Sequence, residues 1–337
     1  MHVSFEYPLV LAGAVALDAL MGDPRWLPHP VRLIGWWAWR VEAVTRRRCP
    51  SAAWAGCLTV VLVLLAVALA TLGLLLAARR LHPAVGALMA LLLLYSGIAL
   101  RDLLVHGQRV LAALNGAGEE AERLARARRA VAMLVGRDTE ALDEAGVVRA
   151  CVESLAENVS DGVIAPLCWA TAGALAAAGL GLSAPAGAAL ALMLYKAINT
   201  MDSLFGYKNE RYRQFGRCPA QLDDLANLLP ARLSALALVL AAPLAGGSPT
   251  GAWRIWRRDH GRHASPNSGH PEAALAGALG IRLGGPASYF GQWHDKAAIG
   301  DEQVRLCSEH ITSAGRLVSL ATLLVVLACL ALGCYTG

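Results

Sequence analysis

The chain has 337 residues, 56% of them hydrophobic and only 16% charged, with a mean hydropathy of +0.47 and a formal net charge of +5. Too few charges are present to solvate the surface of a soluble globular domain of this length, so that class is excluded and a bilayer is the natural solvent. The expected fold class is all-α: a polytopic α-helical integral membrane protein with helical cytoplasmic loops, read as one membrane-embedded domain over residues 1–337.

Crossing a hydrocarbon core takes roughly 20 mainly apolar residues in helical form. The first such run, residues 7–21, contains Asp18; Glu6 precedes it and no lysine or arginine does, so it reads as a membrane helix and not as a signal peptide. The polar segment 22–51 carries Arg25, Arg32, Arg40 and Arg46-Arg47-Arg48. This is the positive-inside pattern, and it places the active loops on the cytoplasmic side of the inner membrane. These arginines form no basic stripe interleaved with stacking aromatics, so no nucleic-acid partner is expected.

Residues 52–78 and 84–100, joined by Arg79-Arg80-Leu81-His82-Pro83, read as a transmembrane hairpin. The polar stretch 101–162 is long enough for two or three helices outside the bilayer, one of them amphipathic over 119–135 with Glu119/Arg123 and Glu122/Arg126 as (i, i+4) pairs. Further spans are expected at 163–182, 184–198 and 317–332, with polar loops at 199–227 and 245–314. The segment 228–244 contains Pro230 and Arg232, leaving only about a dozen uninterrupted apolar residues, so a tilted or re-entrant helix is preferred and a full span stays open. The eight cysteines show no CxxC pair or regular framework and read as small buried hydrophobes.

Chemistry concentrates in three clusters. Glu153, Glu157 and Asp161 fall at i, i+4 and i+8, one face of a helix, where like charges repel unless a cation lies between them. This is the candidate magnesium site. Lys196, Asn199 and Asp202 share a helical face at the end of an apolar run, with Lys208 shortly after. In a chain with three lysines against 27 arginines, a lysine points to a need for a compact ammonium, as in phosphate binding. Asp223-Asp224 is a second candidate metal or base site, with helix capping as its alternative. The third cluster runs from Arg257 through His260 and His263 to Ser265-Pro266-Asn267-Ser268-Gly269 and Glu272. The two histidines lack a third ligand at zinc-like spacing, whereas the turn into the Glu272 helix offers backbone N–H groups to an anion. No GxxxxGK[ST] loop, GxGxxG fingerprint or GxSxG elbow is present, so any nucleotide site is unconventional.

At these residues the sequence closely resembles the adenosylcobinamide-phosphate synthase family of cobalamin biosynthesis, CobD/CbiB. The blocks that carry the resemblance are GDPRWLPHPVR at 22–32, Arg101-Asp102-Leu103 with His106, Gly136-Arg137-Asp138-Thr139, ESLAENVSDG at 153–162, YKAINTMDS at 195–203, GYKNERY at 206–212, and SPNSG with Glu272. Departures are small: Ser268 stands where the family usually has alanine, Cys168 where an aromatic is common, and Ala297-Ala298 where a proline is frequent.

The resemblance implies an ATP-dependent ligase joining a propionate carboxyl of adenosylcobyric acid to the amine of (R)-1-amino-2-propanol O-phosphate. A carboxylate oxygen leaves poorly, so ATP must first activate it. On that reading Mg²⁺ is assigned to Glu153, Glu157 and Asp161, with catalytic Asp202 as a further candidate ligand. Lys196, Lys208, Arg211 and Arg137 are assigned to phosphate groups, joined by Asn199, Ser265 and Asn267 in nucleotide binding. The base is sought among Asp223, Asp224 and His260. The lipid bilayer and other late cobalamin-assembly enzymes are the expected partners besides the substrates. The alternative is a polytopic transporter of a corrinoid or related anion, for which ionisable groups would line the path inside the membrane; most ionisable groups here lie outside the apolar runs.

Overall fold

The computed structural model describes residues 6–24, 29–207, 209–289 and 291–335. Lys208 and residues 25–28 of the first block therefore lie outside the described residues. Among the described residues, five helical stretches are long and apolar enough to cross a membrane: Ala52–Leu81, Pro83–Asn115, Glu144–Gly179, Leu228–Ala245 and Glu309–Gly333. The protein is thus a multi-pass, predominantly helical membrane protein. The runs expected at 7–21 and 184–198 lie in shorter or more polar helices. One, Glu6–Met21, has 16 residues, and the other carries Lys196 and Asn199, which dilute its hydropathy. The segment left open in sequence is a continuous helix of 18 residues, Leu228–Ala245, with Pro230 in its first turn, where its missing N–H costs nothing.

The chain divides into two compact units. The first comprises Met1–Ala99, Ala165–Asn227 and Val326–Gly337. Its helices are α1 (Glu6–Met21), α2 (Pro30–Arg48), α3 (Ala52–Leu81), α4 (Pro83–Tyr95), α8 (Ala165–Gly179), α9 (Ala184–Phe205) and α10 (Arg217–Ala226). The α8–α9 pair is the tightest crossing. A Cβ added at Gly173 would sit 2.4 Å from the Gly187 carbonyl oxygen, and one at Gly187 2.4 Å from that of Gly173. Small residues let two backbones touch here, which is how helices associate where apolar burial alone gives no preference for one another over lipid. Buried hydroxyls supply further links: Tyr7 to Thr171 at 2.9 Å and Thr45 to Thr59 at 2.8 Å.

The second unit comprises Leu100–Ile164 and Leu228–Val325. It contains α5 (Leu100–Asn115), α6 (Glu120–Val131), α7 (Glu144–Val159), a π turn at Ser160–Ile164, α11 (Leu228–Ala245), α12 (Pro249–Asp259), α13 (Gly269–Leu279) and the start of α14 (Glu309–Gly333). The expected amphipathic helix is α6, and of its two ion pairs Glu122–Arg126 forms, at 3.9 Å. Glu119 is instead the N-cap residue, and Arg123 donates to the Gly118 carbonyl. Helix α13 is buried on every side from Gly269 to Ala278. Its glycines and alanines make this feasible: Gly251 of α12 and Gly277 of α13 meet backbone to backbone.

One element departs from an all-helical reading of the polar loops. Strands β1 (Leu283–Tyr289) and β2 (Gln292–Ile299) form an antiparallel hairpin, with Gly285 opposite Lys296 and a one-residue bulge between Leu283 and Gly285. No apolar alternation announces it, because Gly284, Gly285 and Pro286 interrupt the first strand.

Candidate functional site

The second unit contains a cleft lined by Leu134, Val135, Gly136, Arg137, Glu153, Ser154, Glu157, Glu272 and Lys296. Helix α7 starts cleanly because the Asp143 carboxylate accepts from Gly146 N at 2.7 Å. Its α-helical spacing then puts Glu153 and Glu157 on one face. Asp161, expected on that same face, lies in the π turn that opens at Ser160 and does not line the cleft. The wider turn ends the spacing on which the three-acid reading relied. The third carboxyl comes instead from another helix: Glu272, in the first turn of α13.

The acids of the cleft have defined partners. The Glu153 carboxylate is ion-paired through Oε2 to Arg137, both side chains being under one-tenth exposed, and its Oε1 accepts from Gly284 N at 2.7 Å. Glu157 Oε1 accepts from the Ser268 hydroxyl at 3.0 Å. His263 Nδ1 accepts from Ser265 N at 3.0 Å, which leaves the ring proton on Nε2, 3.6 Å from Glu272 Oε1. Burial, reinforced by the charges of Glu153 and Glu157, pushes the Glu272 carboxyl well above the ordinary range, against the pull of Lys296 and Arg137. Burial also pulls His263 down, assisted by Lys296 and opposed by Glu157. Both shifts favour the uncharged forms, a protonated carboxyl beside an unprotonated imidazole.

As a magnesium cage the expected trio does not fit. Both oxygens of Glu153 are committed, Asp161 lies elsewhere, and among the described residues no group of three or more His, Cys, Asp or Glu is arranged to hold a metal ion. Nor do the turn's N–H groups stand ready for an anion, since Ser265 Oγ accepts from both Asn267 N and Ser268 N at 3.2 Å. Ser265 and Asn267 thus shape the turn that delivers Ser268 to Glu157. His260 bonds through Nδ1 to the Trp256 carbonyl at 2.8 Å and stacks on His270, ring centroids 4.6 Å apart.

The first unit gathers the other predicted residues into a separate cluster where α9 packs on α10. Buried Asp223 accepts from Asn227 Nδ2 at 3.0 Å and from Asn199 Nδ2 at 3.4 Å, and the Tyr195 hydroxyl donates to Asn227 Oδ1 at 2.9 Å. Burial pushes the Asp223 carboxyl up to about 6; the two amides and Lys196 lower it and Asp224 raises it. Asp202 packs at the end of α9, its carboxylate against Gly206. Arg211 does not join this cluster. It sits 3.3 Å from the buried carboxylate of Glu42, which Arg46 also holds at 2.8 Å.

Lys296 of the cleft, and Gly284, whose N–H reaches Glu153, were not singled out in the sequence. Scarcity could have flagged the first, because Lys296 is the third of only three lysines.

The family model described as "CobD/Cbib protein" matches residues 11–318. "Cobalamin biosynthesis protein CobD" of Desulfotalea psychrophila is 47% identical over 314 residues, covering 93% of each chain. The protein of the same name from Geobacter metallireducens is 48% identical over 88% of this chain and 87% of its own. "Cobalamin biosynthesis protein CbiB" of Salmonella typhi is 41% identical over 96% of this chain and 98% of its own. No solved structure matches. With the family model and these relatives agreeing along nearly its whole length, the chain belongs to the CobD/CbiB family.

Proposed function

We propose that the protein is an enzyme of cobalamin biosynthesis, the ATP-dependent ligase that joins a propionate carboxyl of adenosylcobyric acid to the amine of (R)-1-amino-2-propanol O-phosphate. Two points support the reading: the names of its relatives, and a cleft in which two cations and three carboxyl groups converge, one of the carboxyls raised well above the ordinary range. The second observation carries it, since a purely structural cluster gains little from so many buried polar groups.

In the first step the substrate carboxylate attacks the γ-phosphorus of ATP, forming an acyl phosphate and releasing ADP. The amine then attacks the acyl carbon, the amide C–N bond forms, phosphate leaves, and one proton is lost from nitrogen. Glu157 is the cleft carboxylate that would share a Mg²⁺ ion brought by the nucleotide, which would neutralise charge on the phosphates. Arg137 is a cleft cation that would meet the phosphoryl oxygens. Glu272 and His263 are suited to proton transfer because burial favours the uncharged form of each and the two are packed together. Asp223, with its carboxyl near 6, is a second group able to accept a proton. The active loops face the cytoplasm, where ATP is available.

The test is an assay of the detergent-solubilised protein with Mg-ATP and both substrates, reading the corrinoid by mass spectrometry and the nucleotide as ADP or AMP. Amide with ADP supports the acyl phosphate, and AMP replaces it with an acyl adenylate. A folded sample that makes no amide, or a Glu157→Gln variant with undiminished turnover, overturns the assignment.

A further inference from the structure

The hairpin β1–β2 is held at both ends. At its turn, Asp138 Oδ2 accepts from Ser288 Oγ at 2.5 Å and from Gly291 N at 2.8 Å, while Asp138 N donates to the Ser288 carbonyl at 2.8 Å. At its base, Gly300 N donates to the buried Asp259 at 2.8 Å, and Arg258 bridges Asp259 to Asp301. Between these anchors lies the bulge. Gly284 and Gly285 have φ of +80° and +89°, and Gly284 N reaches Glu153. The bulge sets Lys296, opposite Gly285, into the cleft.

We propose that Lys296 is a phosphate-binding residue of this cleft, held by the hairpin so that its ammonium meets an anionic oxygen of a phosphorylated substrate. The proposal rests on the ligase reading, in which ATP and the aminopropanol ester both carry such a group. A counter-ion role alone accounts poorly for the position. Glu153 is already paired with Arg137, and Glu157 accepts from the Ser268 hydroxyl, so both carboxylates that α7 brings to the lining have partners besides Lys296. A counter-ion for Glu157 alone would not need a bulged, twice-anchored hairpin to deliver it. In a chain that uses arginine for 27 of its 30 basic residues, the choice of lysine favours a compact, mobile point charge over a planar fork.

The test uses the full chain in nanodiscs, with Lys296→Gln and Lys296→Arg beside the wild type. Binding of ATP, of 1-amino-2-propanol O-phosphate and of free 1-amino-2-propanol is measured separately by calorimetry. One phosphorylated ligand is expected to bind K296Q roughly tenfold or more weakly and to recover in part with K296R, free aminopropanol being unaffected. Loss confined to ATP names the nucleotide as the source of the phosphate, and loss confined to the ester names the acceptor. Unchanged affinity of K296Q for both overturns the proposal, as does a wild type that binds neither. Should K296Q fail to fold, an amine-acylating reagent applied to the wild type decides: the phosphorylated ligand must protect Lys296, and no protection by either ligand overturns the proposal. Turnover in the same preparation keeps the two readings apart. Lys296-dependent binding without amide sinks the ligase and leaves the lysine, whereas amide formation with unaltered binding to K296Q does the reverse.

Discussion

Replacing Gly284 by alanine tests whether the bulge organises the cleft. Its φ of +80° costs an L-residue about 1–2 kcal/mol. The new Cβ would lie 2.2 Å from the Ala297 carbonyl oxygen, a backbone atom on the paired strand that cannot swing aside. Relieving such a contact typically costs about 1–3 kcal/mol. If the strands part to do so, the 2.7 Å bond from Gly284 N to the Glu153 carboxylate goes too, worth about 1.5–3 kcal/mol as a bond to a charged group. These contributions overlap, so about 3–5 kcal/mol of local destabilisation is expected. Gly291→Ala is the control: its φ is also positive, at +76°, but an added Cβ meets nothing within 4 Å, so only the backbone cost of about 1–2 kcal/mol applies. Hydrogen exchange read by mass spectrometry should show β1–β2 amides opening far more in G284A than in G291A, while α12 and α13 keep their protection. Equal exchange in the two variants refutes the reasoning, because the close approach to Ala297 would then carry no weight.

Three further substitutions test other parts of the account. Asp223→Asn should flatten a pH dependence of stability: the folded carboxyl, at about 6 against 3.8, binds its proton more tightly, so the stabilisation is complete below about pH 4 and lost as pH rises through 6, about 3 kcal/mol in all. Melting curves at pH 4 and 7 that shift alike in variant and wild type refute this. Arg137→Met leaves the buried Glu153 carboxylate without its cation and should cost about 3–5 kcal/mol, with Arg137→Lys recovering part; a loss below about 1 kcal/mol in chemical unfolding contradicts the pairing. Gly173→Leu should separate α8 from α9 and lower the melting temperature by several degrees, whereas Gly179→Ala, with open space around it, should be neutral or slightly stabilising; similar effects from the two would remove the case for a close crossing.

The helical architecture was legible because long apolar runs and flanking arginines follow directly from bilayer physics, and the Leu228–Ala245 segment was ambiguous only because Pro230 and Arg232 fall at its start. The site was half legible. Glu153 and Glu157 share a face because four residues is nearly one α-turn, but the same arithmetic misplaced Asp161 once the π turn intervened, and a π turn leaves no periodic mark in sequence. Arg137 was found as a cation, but it lies in the loop before α7 and its partner 16 residues on within that helix, a relation that spacing cannot express. The hairpin escaped because its strands are specified by glycines at positive φ and by Asp138 at its tip, not by alternating apolar residues.

Glu272 shows why the cleft reads as machinery more than as scaffold. It occupies the first turn of a helix otherwise made almost entirely of Gly, Ala and Leu, buried on every side, where an apolar or amide side chain would pack at lower cost. Two carboxylates face it from α7, His263 from the turn before its own helix, Lys296 from β2, and Arg137 from the segment before α7. The folded state holds its proton more tightly than the unfolded chain does, so stability falls with rising pH above 4.5, at about 1.4 kcal/mol per pH unit until the folded carboxyl itself ionises. Glu272→Gln keeps the shape and removes that slope. It should melt at higher temperature than the wild type at pH 7, by a margin that vanishes near pH 4, and yet form little or no amide. A variant with the wild-type slope would show that Glu272 is ionised after all. One that is more stable and fully active would show that a carboxyl is not needed there, and would remove Glu272 from the proton transfer.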